Sequence, residues 1–492
     1  MKRFRLMVFL LAAVLCLCLA QASGEAVESL SLTGGEIQSL AMLVDYPALQ
    51  SLTLTDCPAL DLTPLANCTK LTSLTIQWSD GYTGGGTYDL SPLKACARLN
   101  TLALIGQGIA DLTSLPGIAK LSALTIRDTA VTDFSPIAQL KLKRLALYGA
   151  DADAVAGSFT AIGRGLTSAA VGGCTLTPEA NDAILSCTRL ISLRFVDAEG
   201  IDGESARWAK LKNLTTLSIT DGSVSSLRFC DSYVSTVGVK LTDVSTGGVP
   251  CSVDFDKYFL KTANVPQAEL HNLLQGEGRR WQYVVIRNNN ALYESQVVAA
   301  LMMIPGLLSL DIQGLTADAF NPDVWREFAK LEQLKISDCP VVPLQMLNGI
   351  PGLLRLSVRN AAIEGADAIP SLQKLQQLTL IRCTADDWSF LSALKNTQLS
   401  QLSLAQCNGP QTLAFAKDLV KLKVLVLDNS PVTDLAPISG MALETISVYG
   451  CDIMDYTPLT ALAALKRLYC SESAALPALR CRILYRPAIA AE

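Results

Sequence analysis

His271 is the only histidine in the chain, so any Ser–His or Cys–His nucleophile system would have to run through it. It falls in a segment of degenerate pattern that reads as a helix over 267–275. A surface or hydrogen-bonded histidine accounts for it better than a catalytic base. Carboxylates recur at Asp56, Asp128, Asp197, Asp221 and Asp338, each just past an expected strand. That phase marks turn residues whose side chains bond local backbone N–H groups, not a glycosidase pair. Thirteen cysteines follow residue 22. Cys57, Cys174, Cys339, Cys383, Cys407 and Cys451 share one phase, and Cys68, Cys96 and Cys187 share another. Thiols repeated in phase read as small buried side chains that donate weakly to carbonyls. Cys383 and Cys407 fall in matching slots of adjacent repeats, near enough in principle for a disulfide. With one histidine and no Cys-x₂-Cys pair beyond the N-terminal segment, no zinc site and no cofactor are expected. The insertion SDGYTGGGTYD, 79–89, matches neither a phosphate loop nor a calcium loop. It reads as a surface loop offering Tyr82 and Tyr88 as contacts, and the chain reads as non-catalytic.

What positions these side chains is an internal repeat. Residues 99–115 read LNTLALIGQGIADLTSL and 422–438 read LKVLVLDNSPVTDLAPI; 121–137 and 443–459 follow the same pattern. The pattern is L-x-x-L-x-L, then a small or polar residue, then Asp-aliphatic-x-Pro or a near variant. Motifs start at Val27, Leu49, Leu71, Leu99, Leu121, Leu142, Leu166, Leu190 and Leu214. They resume at Trp281, Leu307, Leu331, Leu353, Leu375, Leu399, Leu422, Leu443 and Leu465, most steps being 21 to 24 residues. Alternation within a strand sends positions four and six inward, Leu102 and Leu104 for example, and positions three, five and seven outward. No single repeat buries its own apolar face, so stacked repeats must form a continuous core and a parallel sheet. Short repeats leave room for 3₁₀ turns at Pro64, Pro92, Pro136, Pro437 and Pro458, whereas 178–187 and 293–303 read as α-helical turns. Over 222–280 the register is lost, with strand candidates at 234–241 and 251–256. The fold class is therefore α/β, a horseshoe-type solenoid with a parallel sheet on its concave face and 3₁₀ and short α-helical turns on its convex face.

The motif resembles the 22-residue repeat of bacterial internalin-like leucine-rich-repeat proteins. It departs from that family where cysteine stands after the strand in place of the usual asparagine. The resemblance implies recognition of a protein or glycan partner on the concave face, by surface chemistry and not by catalysis. The outward positions there hold mostly Ser, Thr and Ala at first (Ser51, Thr53, Thr55), then a different set. Arg127, Arg144, Tyr148 and Arg194 come first, followed by Tyr283, Arg287, Lys335, Arg355 and Arg359, with Tyr449 and Tyr469 in the last repeats. Arg and Tyr are common interface anchors, so this strip is the expected ligand-binding face, although each residue taken alone also suits an ordinary solvated sheet.

Lys2, Arg3 and Arg5 precede an apolar run, Leu6 to Leu19, and then Ala20-Gln21-Ala22. That order predicts a signal peptide over 1–22, cleaved after Ala22, for a secreted or cell-envelope protein without later membrane insertion. Losing three positive charges takes the net charge from −5 to −8. So acidic a product lacks the basic footprint that nucleic acid requires. The array then spans 23–479, with a tail over 480–492. Its ends are poorly capped, which makes self-association of open sheet ends the alternative role: a structural, self-assembling envelope protein.

Overall fold

The computed structural model describes residues 27–82, 84–233, 238–275, 280–289, 291–304, 306–365, 372–472 and 474–485. The predicted signal peptide lies outside them. The chain divides into two compact units. One runs to Ser232 and takes in Leu241–Gly247; the other holds Tyr233–Lys240 and everything from Gly248 onward.

In the first unit, strands begin at Ser29, Ser51, Ser73, Thr101, Ala123, Arg144, Ser168, Ser192 and Thr216. Each of these lies two residues past a motif start, so the third motif position opens the strand of each repeat. Neighbouring strands are parallel and pair like position with like, Leu102 facing Leu74 and Leu124. Leu102 and Leu104 are fully buried, as alternation requires. The expected prolines begin 3₁₀ turns on the other side of the coil, Thr63–Asn67 and Ser91–Ala95 among them. Proline suits that place because its φ is preset and its missing N–H is one no turn would use. The α-helix Pro178–Leu185 forms where expected. A longer one, Ala152–Ile162, is capped by Asp151, whose side chain accepts from the Ala154 N–H.

Position eight of the motif takes a left-handed backbone. Asp56, Asp128, Asp197 and Asp221 all have φ between 50 and 52°, and Gly106 and Gly149 occupy the same slot. Only Gly, Asn and Asp visit this region readily, which explains the recurring carboxylates. The twist keeps the backbone in the ladder, Asp56 N–H donating to Gln77 O at 2.9 Å. The side chain therefore reaches the next coil: Asp56 accepts from Ser79 N–H at 2.7 Å and from its hydroxyl at 2.9 Å. The local bonding expected of these residues belongs to a different aspartate, position thirteen. There Asp61, Asp111, Asp133, Asp387 and Asp455 each accept from the N–H two residues on, at 2.8 Å.

Those caps carry a pH dependence. The hydroxyl two residues on, then the backbone N–H, hold Asp61, Asp111, Asp133 and Asp387 below the usual carboxylate range; for Asp455 the N–H leads. A folded-state value below the unfolded one contributes stability above the unfolded pKa, about 3.9 for Asp, and that stability disappears as pH falls through the lower folded values. The melting temperature should therefore hold steady down to about pH 5 and drop steeply below about pH 4. Changing the five caps to Asn, which still accepts a hydrogen bond, should flatten that drop. An unchanged acid limb in differential scanning calorimetry would remove the caps from the account.

The second unit repeats the plan from Tyr283–Arg287 to Arg467–Cys470, again with strands two residues past each motif start, and one short extra strand, Val341–Pro343, between them. Pairing is parallel throughout these strands. The α-turn Ser295–Met302 falls within the expected 293–303. Arg482–Tyr485, in the segment read as a tail, forms one more strand beside Arg467–Cys470. The irregular middle is more regular than its sequence. Gly238–Thr246 and Val249–Phe255 overlap the two strand candidates, and Gln267–Gln275 is helical. An unforeseen strand, Phe259–Ala263, pairs antiparallel with Val249–Phe255 and parallel with Tyr283–Arg287. It is a repeat whose first position is Lys257 in place of an apolar residue. Its left-handed slot holds Asn264, φ 54°.

That hidden repeat places Thr262 at core position six. Its hydroxyl is buried and has no hydrogen-bond partner among the described residues. An unpaired buried hydroxyl costs about 1–3 kcal/mol, so Thr262→Val should raise stability by about 1 kcal/mol or more, read as a higher urea midpoint.

Candidate binding site on the sheet face

The outward strip of the first unit comes together only in part. Arg127 and Tyr148 occupy paired positions on adjacent strands, and the guanidinium lies 4.3 Å from the ring centroid. That is cation–π distance, so each side chain orients the other. Arg144 stands at the opposite end of the strand from Tyr148. The strand Ser168–Thr175 separates it from Arg194. Tyr88 is no surface contact: it is buried, with its hydroxyl donating to Cys57 O at 3.3 Å. Trp78 donates to the same carbonyl and meets Tyr82 edge-on at 5.4 Å. The glycine-rich insertion is thus pinned down by an aromatic cluster, and burial raises the Tyr88 pKa.

In the second unit the expected residues converge further. Arg287, Lys335 and Arg359 border one depression of about 350 Å³, together with Asp311, Asp338 and Arg382. Four neighbouring strands, Tyr283–Arg287, Ser309–Gln313, Gln333–Ser337 and Arg355–Glu364, supply Arg287, Asp311, Lys335 and Arg359, a fifth, Gln377–Thr384, supplies Arg382, and Asp338 directly follows Ser337. Arg287 grips Asp311 with two bonds of 2.7 Å, the fork-on-carboxylate geometry that is strongest for such pairs. Lys335 Nζ stands 3.9 Å from the same carboxylate. Asp338 accepts from the Asn360 amide. Arg382 Nε donates to Gln406 at 3.0 Å. Tyr283 and Arg355 lie at the other end of these strands, about 13 Å away along the chain, and do not border the depression. Among the last repeats Tyr449, read as outward, is buried, as are the outward positions Thr445 and Ser447 of the strand before it.

Asp311 and Arg382 are the residues the strip missed. Asp311 sits at outward position five and was legible there. Arg382 sits at position eight, which reads as a turn slot.

These coils, one short parallel strand and one turn per repeat, are matched among solved structures. The Drosophila Toll–Spatzle complex matches at 13% identity over 91% of this chain and 59% of that one, with a TM-score of 0.53. Its glycosylated form matches at 14% over 91% and 66%, with a TM-score of 0.55. The chain has the leucine-rich-repeat fold. At these identities the likeness shows the fold alone, and the chain spans 59 to 66% of the Toll chains it matches. It is also similar to an internalin of Listeria monocytogenes, at 16% identity over 87% and 88% of the two chains and a TM-score of 0.25. No protein-family model matches the sequence, and no curated protein matches it.

The cysteine slots of this leucine-rich-repeat chain explain themselves in the same geometry. Among the described residues, no disulfide joins any of the thirteen cysteines. Cys57 donates to Leu32 O, Cys383 to Val358 O, Cys407 to Leu380 O and Cys451 to Leu427 O, at 3.0–3.7 Å. Each thus ties its coil to the one before. Burial pushes Cys339 and Cys251 up to about 11 and Cys187 to about 12, so these are packing thiols and not nucleophiles. For Cys383, the neighbouring Cys407 thiol and burial act in the same direction. His271 sits on the helix Gln267–Gln275, its Nδ1 3.2 Å from Gln296 O.

Proposed function

We propose that the chain is an exported, non-catalytic binding module that holds a protein or glycan partner on the outward face of its sheet. One observation carries the reading: adjacent strands bring Arg287, Lys335, Arg359 and Arg382 around a single depression, in a chain whose net charge is −5. Guanidinium groups on a rigid sheet suit partner recognition, since little side-chain freedom is lost on docking. The paired Arg127 and Tyr148 offer a second anchor of the same kind on the first unit. Export is inferred from the basic head and apolar run of residues 1–22. No helix among the described residues is long and apolar enough to cross a membrane. Toll, solved as a complex with Spatzle, is an instance of this fold in a binding role.

Residues 23–492 immobilised against cell-surface extract test the reading, beside a Lys335→Ala, Arg359→Ala, Arg127→Ala variant shown by circular dichroism to be folded. A partner retained by the wild type and lost by the variant is the expected result. A partner held equally by both would sink the sheet-face assignment. Capture of only further copies of the chain would move the role to self-assembly.

A further inference from the structure

We propose that the depression between Arg287 and Arg382 is a clamp for acidic polypeptide, taking the carboxylates of an extended Asp- or Glu-rich segment. The inference rests on the sheet-face reading above and names the class of partner.

Charge comes first. Four cations, Arg287, Lys335, Arg359 and Arg382, face two carboxylates, Asp311 and Asp338. The carboxylates are already engaged, Asp311 by both arms of Arg287 and Asp338 by the Asn360 amide. Among the described residues Arg359 makes no ion pair, and Lys335 touches Asp311 only at the 3.9 Å limit of one. The surplus is therefore positive, outward and held on rigid strands.

Backbone strain marks the same place. Arg382 has φ 52° in the slot that Gly314, Asp338 and Asn360 fill in the three preceding repeats. A long β-carbon-bearing side chain is disfavoured there, and Arg382 shares the slot with its bonding partner Gln406, φ 57°, in the next repeat. The hydrogen bond from its Nε to Gln406 fixes the guanidinium and leaves both Nη groups unbonded among the described residues.

Spacing then selects the ligand. Lys335 pairs with Ser357, so Arg359 is its diagonal neighbour two residues on, and Arg382 directly follows Ile381, the partner of Arg359. Diagonal neighbours on a sheet lie about 7–8 Å apart. An extended peptide presents side chains on one side every two residues, about 6.8 Å. The two spacings nearly match, so alternate acids of one strand-like segment meet Lys335 and Arg359, with Arg382 on the next strand just beyond Arg359. The guanidinium fork fits a carboxylate with two parallel bonds. No aromatic ring borders the depression, and Ile336 and Ile381 are its only aliphatic members. It thus lacks the broad apolar platform on which a sugar face would rest.

The test is fluorescence anisotropy of labelled hexaglutamate and, as the neutral control, hexaglutamine. A sulfated oligosaccharide and inorganic phosphate are run as competitors. Hexaglutamate should bind, with affinity falling steeply from about 0.05 to 0.3 M salt. Arg359→Gln should weaken it by roughly tenfold. Arg382→Gly should weaken it too while raising the melting temperature, a split that a purely structural arginine would not produce. Lys417→Ala, on the turn Ala414–Asp418, should change neither. Equal binding of hexaglutamine, or full affinity in both arginine variants, overturns the clamp. Binding of the sulfated oligosaccharide without hexaglutamate overturns the peptide class yet leaves the sheet-face reading intact. The same holds if the extract partner is lost from the triple variant while no acidic peptide binds.

Discussion

Trp281→Ala is expected to lower the stability of the second unit by about 3–5 kcal/mol, the range for deleting a large buried aromatic. Trp281 is fully buried. Its ring meets Phe255 edge-on at 5.7 Å, and its Nε1 donates to Asp256 O at 2.9 Å. It stands at the first motif position, where nearly every other repeat has leucine. The larger side chain fills the space opened by the antiparallel turn between Val249–Phe255 and Phe259–Ala263. Trp281→Leu restores the usual residue but leaves the Asp256 carbonyl and the Phe255 ring without their partner. It should therefore cost less than alanine without matching the wild type. Because each coil depends on its neighbours for a core, the loss should also reduce cooperativity. Urea unfolding followed by far-ultraviolet circular dichroism reads both effects. A midpoint within error of the wild type would mean that the hairpin closes over the gap.

The second large effect is at the site. Asp311→Ala removes a partly buried carboxylate, 17% exposed, from the grip of Arg287. Charge-assisted bonds of this kind contribute about 1.5–3 kcal/mol, the lower part applying here because Arg287 is 34% exposed and screened. Arg287→Ala should cost a similar amount. The double variant should cost clearly less than the two together, since each single change strands the other partner. Binding should move the other way: Asp311→Ala leaves Arg287 and Lys335 without their carboxylate and should strengthen capture of an acidic ligand. Additive stabilities in the double-mutant cycle would show that the pair, though well formed, contributes nothing to stability.

The repeat was legible because its physics is one-dimensional. Leucines at positions one, four and six must all be buried together, so their spacing set the strand starts two residues past each motif start, from Ser29 to Thr216 and again from Tyr283 to Arg467. Position eight was legible in composition, as Asp, Asn and Gly, but its cause, a left-handed backbone, emerged only in the folded coil. Phe259–Ala263 escaped notice because Lys257 and Thr262 stand where the pattern demands apolar residues. There, pairing with both neighbouring strands overrides the local sequence.

The site divides in the same way. Outward position alone picked out Arg287, Lys335 and Arg359 correctly as sheet-face residues, and Arg355 and Tyr283 equally so. It could not distinguish the two ends of a strand as separate places, although about 13 Å lies between them. Nor does a sequence position say which charges remain uncompensated. Asp311 is 24 residues from Arg287, and only the parallel register of their strands brings carboxylate and guanidinium together. Arg382, 23 residues from Arg359 along the chain, comes next to it only through the pairing of Arg359 with Ile381 on the adjacent strand. Alternation, a local property of the strand, fixed which side chains point outward in most repeats, though not at Thr445, Ser447 and Tyr449, which are buried. Which of them act together was decided by the tertiary structure, because charge compensation depends on distances across strands that no spacing along the chain records.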